Sequence, residues 1–319
     1  MKSTSDYIIT DIPYAPYAYT TPGGATDPAI YADDKFSRLI PLPFNFCFYD
    51  SLYTSAVVGS NGLITFDTTN KNCDNAYTIS APIPLATGTQ CNQTGTYYPR
   101  AAVMGMYCDL DPSALASPAD RKIEWRVEGS APCRKFIASY YHVGLYGDRD
   151  CSLATPTTFQ MVLYESTGII EVFVEAKTCN STTGDAHAIM GVQNWARNKA
   201  LAGAGKNNTV WHEVLKGYRF VPSGGVSRFV SCEVQTLAGA FIATGDTATT
   251  SAGTLDVTFP TFCPLGASGQ YVVKTTFSAC DNPGNQLVSF DTITINKTTS
   301  LDPTKTTTQT SCGVIGSGT

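Results

Sequence analysis

The sequence predicts an all-β chain, a β-sandwich domain followed by immunoglobulin-like β-sandwich repeats, and three observations carry that expectation. Its apolar stretches are short, rich in Val, Ile, Thr, Tyr and Phe, and closed by Gly, Pro, Asn or Asp, the pattern of strands separated by turns. Helical periodicity is nearly absent. Hydrophobic residues make up 43% of the 319 residues and charged residues only 15%. The chain therefore holds apolar material for more than one core, while Thr, Ser, Asn and Gly make its surface polar.

Taken in order, the N-terminal stretch with Pro13, Tyr14, Pro16, Tyr17 and Tyr19 reads as an extended strap packed along a sheet rather than as an exposed aromatic ligand surface. Strands are predicted at 56–59, 62–66, 122–127, 136–143, 159–164 and 169–175. Between the first two, Ser60-Asn61-Gly62 is expected to turn a hairpin, because Asn and Gly both tolerate positive φ. In the last, Ile170, Val172 and Val174 share one face and Glu171, Phe173 and Glu175 the other, so a half-buried sheet is expected there. Pro222-Ser223-Gly224-Gly225, just after the strand-like 217–221, predicts a domain boundary. That divides the chain into a first domain over 1–222 and an immunoglobulin-like domain over 226–297, with strands near 255–259 and 270–277. Ser231-Cys232-Glu233-Val234 recurs as Ser311-Cys312-Gly313-Val314, so 298–319 reads as a Thr-rich linker or the start of a further repeat.

A formal charge of −5 without any Lys/Arg cluster disfavours nucleic acid as a partner. No apolar stretch approaches the roughly 20 residues that span a bilayer. The start, Met1 to Asp6, lacks the apolar centre of a signal peptide, so a removed signal or an excised segment is expected. Eleven cysteines are scattered singly with no CxxC, which favours disulfides in an oxidising compartment over zinc or redox chemistry. Cys73 with Cys91 across a loop, and Cys263 with Cys280 in the second unit, are candidate pairs, the connectivity itself being open. The odd total leaves one thiol over, with Cys312 the natural candidate.

The search for chemistry fails in specific places. His142, His187 and His212 are isolated in sequence, and His212-Glu213-Val214-Leu215-Lys216 puts a lysine where a zinc helix needs its second histidine. Gly203-Ala204-Gly205-Lys206-Asn207 lacks the leading glycine and following hydroxyl of a phosphate loop and is expected to be a mobile loop. No GxSxG occurs. Glu165, Glu171 and Glu175 are expected to be solvated strand residues, not a glycosidase pair. Asp109-Leu110-Asp111-Pro112 stands out, since alternate aspartates at a strand end can both offer oxygens to calcium, with Asp33 and Asp34 as further candidate ligands. The competing reading is that these acids cap a turn. No catalytic residues and no other cofactor are expected.

The run LPFNFCFYD ending at Asp50, followed by SNGLITF from Ser60 to Phe66, resembles the opening of a nidogen-type extracellular domain, with Asp50 where glycine is usual. Further matching blocks are Ala102 to Pro112, Phe159 to Glu165 and Ala188 to Asn194, so the resemblance covers roughly Asp11 to Gly224. The motifs APCR from Ala131 to Arg134 and YRFVP from Tyr218 to Pro222 look like those of very large, type IX-secreted surface proteins of gliding Bacteroidetes. In such proteins this domain precedes immunoglobulin-like repeats. The resemblance implies a cell-surface segment serving attachment or gliding motility, with surface glycans or proteins and neighbouring repeats as partners. It also implies glycosylation at Ser51, Thr247 and Thr292, each between an acid and an aliphatic residue. Alternatives are a carbohydrate-binding accessory module of a secreted hydrolase and a purely structural stalk or filament subunit.

Overall fold

The structure, a computed structural model, describes residues 2–88, 90–91, 97–131, 133–147, 149–165, 167–179, 187–249, 255–260, 262, 268–278 and 286–296. Two compact units emerge, Ser3–Gly225 and Val226–Thr319, the latter with Met1–Lys2.

The first unit is a sandwich of two antiparallel sheets. One runs in the order β1 (Lys2–Ile12), β13 (Glu213–Ser227), β10 (Ile170–Lys177), β9 (Thr157–Tyr164), β8 (Lys135–Leu145) and β6 (Leu110–Asp111), with β7 (Lys122–Glu128) also paired to β8. The other runs β12 (Ala200–Thr209), β11 (Ala188–Gln193), β5 (Ala102–Tyr107), β4 (Leu63–Thr65), β3 (Ser51–Gly59) and β2 (Ile40–Phe48). Among the described residues one α-helix, α1 (Arg149–Ala154), and two short 3-10 helices, Pro28–Tyr31 and Thr68–Asn70, interrupt the strands. Between the sheets lies one core, to which the first sheet contributes Tyr140, Phe159, Met161, Val172 and Phe220 and the second Phe46, Val58, Ile64, Val103 and Met190. Tyr140 shows how a polar atom is accommodated there. Its ring stacks on Phe159 at 4.4 Å, and its hydroxyl donates across the sandwich to the Gly59 carbonyl at 2.6 Å. A buried hydroxyl without that acceptor would be left costly.

The central strands of both sheets are covered on their outer faces as well, which explains why strands such as β5 and β11 are apolar without alternation and buried along their whole length. Ile79, Ile83 and Tyr98 pack on the outside of the second sheet against Val57, Met104 and Ile189. The first sheet is covered by the N-terminal strap, where Ile12, Tyr14 and Tyr17 pack on Ile137, Val162 and Phe173. The half-buried β10 expected from alternation is corrected accordingly. Phe173 is 2% and Glu171 3% exposed on the face expected to be wet. Tyr14 closes over Phe173, and the Glu171 carboxylate takes hydrogen bonds from Tyr164 at 2.6 Å and Arg219 at 2.7 Å.

Farther along, the strap is pinned by Glu124. This carboxylate accepts from the Thr21 amide at 3.0 Å and hydroxyl at 3.1 Å, and pairs with Lys122 and Arg126. Gly24 passes directly over it, so that a Cβ there would stand 2.2 Å from the carboxyl carbon. Gly24→Val is therefore expected to lift the strap and lower stability by about 2 kcal/mol. Thermal unfolding, with Gly23→Ala as an unobstructed control, checks this.

At Pro222 to Gly225, where a boundary was expected, the two units divide after Gly225 while β13 itself runs through; pairing with β10 ends at Phe220, so Pro222 removes no donor from that ladder. One further expectation is corrected. Residues 203–207 lie inside β12, where the positive φ of Gly205 and Asn208 accompanies an irregular register with β11.

The second unit has a four-stranded antiparallel sheet, β15 (Phe241–Thr244), β14 (Phe229–Thr236), β18 (Ser268–Ser278) and β19 (Gln286–Asn296), and a ribbon of β16 (Asp246–Thr249) and β17 (Leu255–Thr258). Among the described residues its buried hydrophobic side chains are Cys232, Val234, Ala243 and Tyr271, with Arg228 and Thr276 buried as well. Residues 298–319, with Cys312, and the candidate pair Cys263 and Cys280 lie outside the described residues.

Candidate metal centre

The hairpin after β3 assembles the most chemically loaded site in the first unit. Its loop is Ser60-Asn61-Gly62, in which only Gly62 takes positive φ, at +88°. Asn61 was expected to share that role; instead its side chain braces two other segments. The Asn61 amide donates to Asp34 Oδ1 at 2.8 Å, and its side-chain oxygen accepts from the Leu110 amide at 3.1 Å. The Asn61 carbonyl also accepts from the Cys108 amide at 3.2 Å. One buried asparagine thus holds the loop carrying Asp33 and Asp34 beside the segment linking β5 to β6, which carries Asp109.

Carboxylate oxygens of Asp33, Asp34 and Asp109 consequently lie within 4.8 Å of one another. Asp34 is 2% and Asp109 5% exposed. Asp33 Oδ1 is closed off from solvent and accepts no hydrogen bond. Burial, together with the charges of Asp34 and Asp111, pushes the Asp33 carboxyl up to about 7, against the pull of an Asp34 backbone hydrogen bond. The neighbouring Lys35 pairs with Asp74. Two oxygens on opposite sides of a calcium ion stand roughly 4.6–5.2 Å apart, so this trio has the dimension and the hard-oxygen chemistry of a calcium or magnesium site.

Asp109 and Asp111, paired as ligands in the sequence, play different parts. Asp111 Oδ1 accepts from the Ser113 amide at 2.8 Å, the geometry of a turn cap, and contributes to the trio through its field. The grouping of Asp109 with Asp33 and Asp34 depends on the Asn61 brace, and the DLDP motif alone carries no trace of it. Of the isolated histidines, His142 meets Asp120 through Nδ1 at 2.8 Å, and His212 is exposed just ahead of β13. Glu165 makes a two-point pair with Arg134, and Glu175 accepts from the Tyr14 hydroxyl at 3.2 Å. Ser51, Thr247 and Thr292 are all exposed.

A family model described as NIDO related matches residues 9–221, from within β1 to within β13. The chain belongs to the NIDO-related family. No curated protein and no solved structure matches it. The NIDO-related domain thus comprises both sheets of the sandwich and the aspartate trio, and the nidogen-like domain expected from the motifs is present.

Disulfides lock this NIDO-related domain and agree with an extracellular setting. Cys73–Cys91 is formed. Cys151–Cys179, with a sequence separation of 28, was not singled out in the sequence, where evenly scattered cysteines offer no pairing signal. Cys47 is also disulfide-bonded, Cys108 is a buried thiol and Cys133 an exposed one. Cys151–Cys179 ties α1 to the segment after β10, and replacing both cysteines by serine is expected to cost about 3–4 kcal/mol through the freed loop of the unfolded chain. Denaturant unfolding of the variant and the parent measures the difference.

Proposed function

We propose that the chain is a non-catalytic segment of a large cell-surface adhesin, whose NIDO-related domain and following immunoglobulin-like units bind and hold a partner at a distance from the cell in attachment or gliding motility. The observation that supports this most is membership of the NIDO-related family over residues 9–221 in a disulfide-locked sandwich. The central strands of that sandwich are spent on packing on both faces, which leaves loops and edge strands to meet a partner, as is usual for a scaffold that presents binding segments. The second unit extends the chain as the spacer, and its four-stranded sheet plus ribbon is read as an immunoglobulin-like repeat.

Binding without turnover is the test. The purified chain is expected to bind particular structures on a glycan array or particular proteins on a cell-surface extract, and to block attachment of cells that display it. Hydrolysis of a bound glycan, abolished by one Asp or Glu substitution, would overturn the reading in favour of a carbohydrate-processing module. A chain that binds nothing yet assembles end to end would instead be a structural stalk.

A further inference from the structure

β10 ends at Lys177 and β13 begins at Glu213, and the two residues are directly opposite in the antiparallel register. Their side chains therefore leave the sheet on the same face, with Cβ atoms about 5 Å apart. Lys177 is fully buried. Its Nζ has no hydrogen-bond partner and stands 5.0 Å from the centre of the Trp211 ring. Burial lowers the pKa of this amine. A lysine this deep without an acceptor is rare, because an unmatched buried charge is strongly disfavoured.

The carboxylate opposite is used unevenly. Glu213 Oε1 accepts from Lys206 Nζ at 2.9 Å and from the Tyr218 hydroxyl, whereas Oε2 is buried and accepts nothing. Lys206 is itself held between two rings, 5.4 Å from Trp211 and 5.1 Å from Tyr218. One oxygen is clamped by two donors and the other accepts nothing, while the amine carried by the residue opposite in the register also lacks a hydrogen-bond partner and lies more than 4 Å from that oxygen.

We propose that Lys177 and Glu213 form an intramolecular amide cross-link between β10 and β13. The lysine nitrogen attacks Cδ of Glu213, the N–Cδ bond forms and the Cδ–Oε2 bond breaks. Negative charge developing on Oε1 falls where Lys206 and Tyr218 already donate, an arrangement that stabilises a tetrahedral intermediate. Two protons of the lysine ammonium leave with Oε2 as water, so ammonium plus carboxylate becomes amide plus water with no redox change and no outside reagent. The lowered basicity of the amine favours its nucleophilic form. Nζ and Oε2 are not hydrogen-bonded to each other, so closure takes rotation about the lysine's terminal single bonds, which move between staggered wells.

This inference goes beyond the adhesive reading and stands without it. It would serve it, however, since β13 is the strand that leads into the second unit, and a pull on the chain beyond Gly225 loads that strand.

Intact-mass measurement of the full chain, reduced and denatured, decides the matter. The expected mass is lower than the sequence value by one water, and trypsin is expected to release a branched peptide joining the Lys177 and Glu213 segments. Lys177→Met and Glu213→Ala should each restore the missing water. A wild-type chain that melts cooperatively and shows the full sequence mass overturns the proposal, whatever the variants do. Attachment assays on the same sample separate the two readings: adhesion without the cross-link removes only this inference, and the cross-link without adhesion removes only the proposed function.

Discussion

Replacing Gly62 by valine is expected to abolish the native fold of the first unit. Gly62 sits at φ +88°, and a Cβ there would stand 2.2 Å from the Met106 carbonyl oxygen and 2.9 Å from its carbon. That neighbour is backbone of the central strand β5 and has no freedom to retreat, because the Gly105 and Met106 amides donate back to the Gly62 carbonyl at 3.2 and 3.3 Å. Left-handed strain and overpacking together amount to roughly 2–6 kcal/mol. A domain is usually stable by only about 5–15 kcal/mol. Valine adds β-branching to the strain and should leave little folded protein. Gly62→Ala should fold with a greatly lowered melting temperature. The comparison is Gly23→Ala, where a Cβ meets nothing within 4 Å. Melting of Gly62→Ala within a degree or two of that control would show that the hairpin relaxes where the geometry says it cannot.

The importance of this glycine was legible in the sequence, but the reason for it was only half legible. Asn-Gly between two β-rich runs announces a hairpin through local backbone preference, and β3 and β4 do pair across it. That Asn61 would keep ordinary φ and spend its side chain on Asp34 and Leu110 is a tertiary fact. The same division runs through the molecule. Strands such as β8 and β9 are visible because Phe136 to Val143 and Phe159 to Tyr164 are dense in β-formers. Burial of Phe173 was not visible, because it is created by a strap more than a hundred residues earlier in the chain, and neither was that of Glu171, whose carboxylate is met by Tyr164 and Arg219 from other strands.

Residues 203–207 misled for a related reason. Gly and Ala there signal a loop only if backbone freedom has no other use. In β12 it permits an irregular strand that carries Lys206 to Glu213. The cysteine pairing of Cys151 with Cys179 and the trio of Asp33, Asp34 and Asp109 share this character, as each joins segments that adjacency in sequence does not relate. Short-range chemistry is written locally; convergence of distant side chains is written only in the packing.

In metal-free buffer the chain is expected to lose stability as pH rises towards and through 7, on account of Asp33. Its folded value of about 7 lies above the ordinary carboxyl value near 3.9 of the unfolded chain. The folded state therefore holds the proton more tightly. The stabilisation is fully present below the unfolded value, declines as pH climbs, and is gone once pH passes the folded value. The full span is at most about 4 kcal/mol, and water reaching the accessible part of the side chain reduces it. Glu165 acts with the opposite sign. Burial would raise its value, but hydrogen bonds and charge from Arg134 outweigh that and hold it below the ordinary range, so its contribution disappears in acid. The two groups give a stability profile with separate flanks. Asp33→Asn should remove the neutral flank and leave the acid one. Calcium offers the sharper discrimination, because a cation held by Asp33, Asp34 and Asp109 stabilises the ionised carboxylates that repel one another in its absence. Thermal melting between about pH 5 and 8 should flatten with calcium at about 1 mM and recover its slope with chelator. A neutral flank that survives Asp33→Asn would place its origin outside this trio, and one indifferent to calcium and magnesium alike would leave the three aspartates as a charge cluster relieved by a proton rather than by a metal.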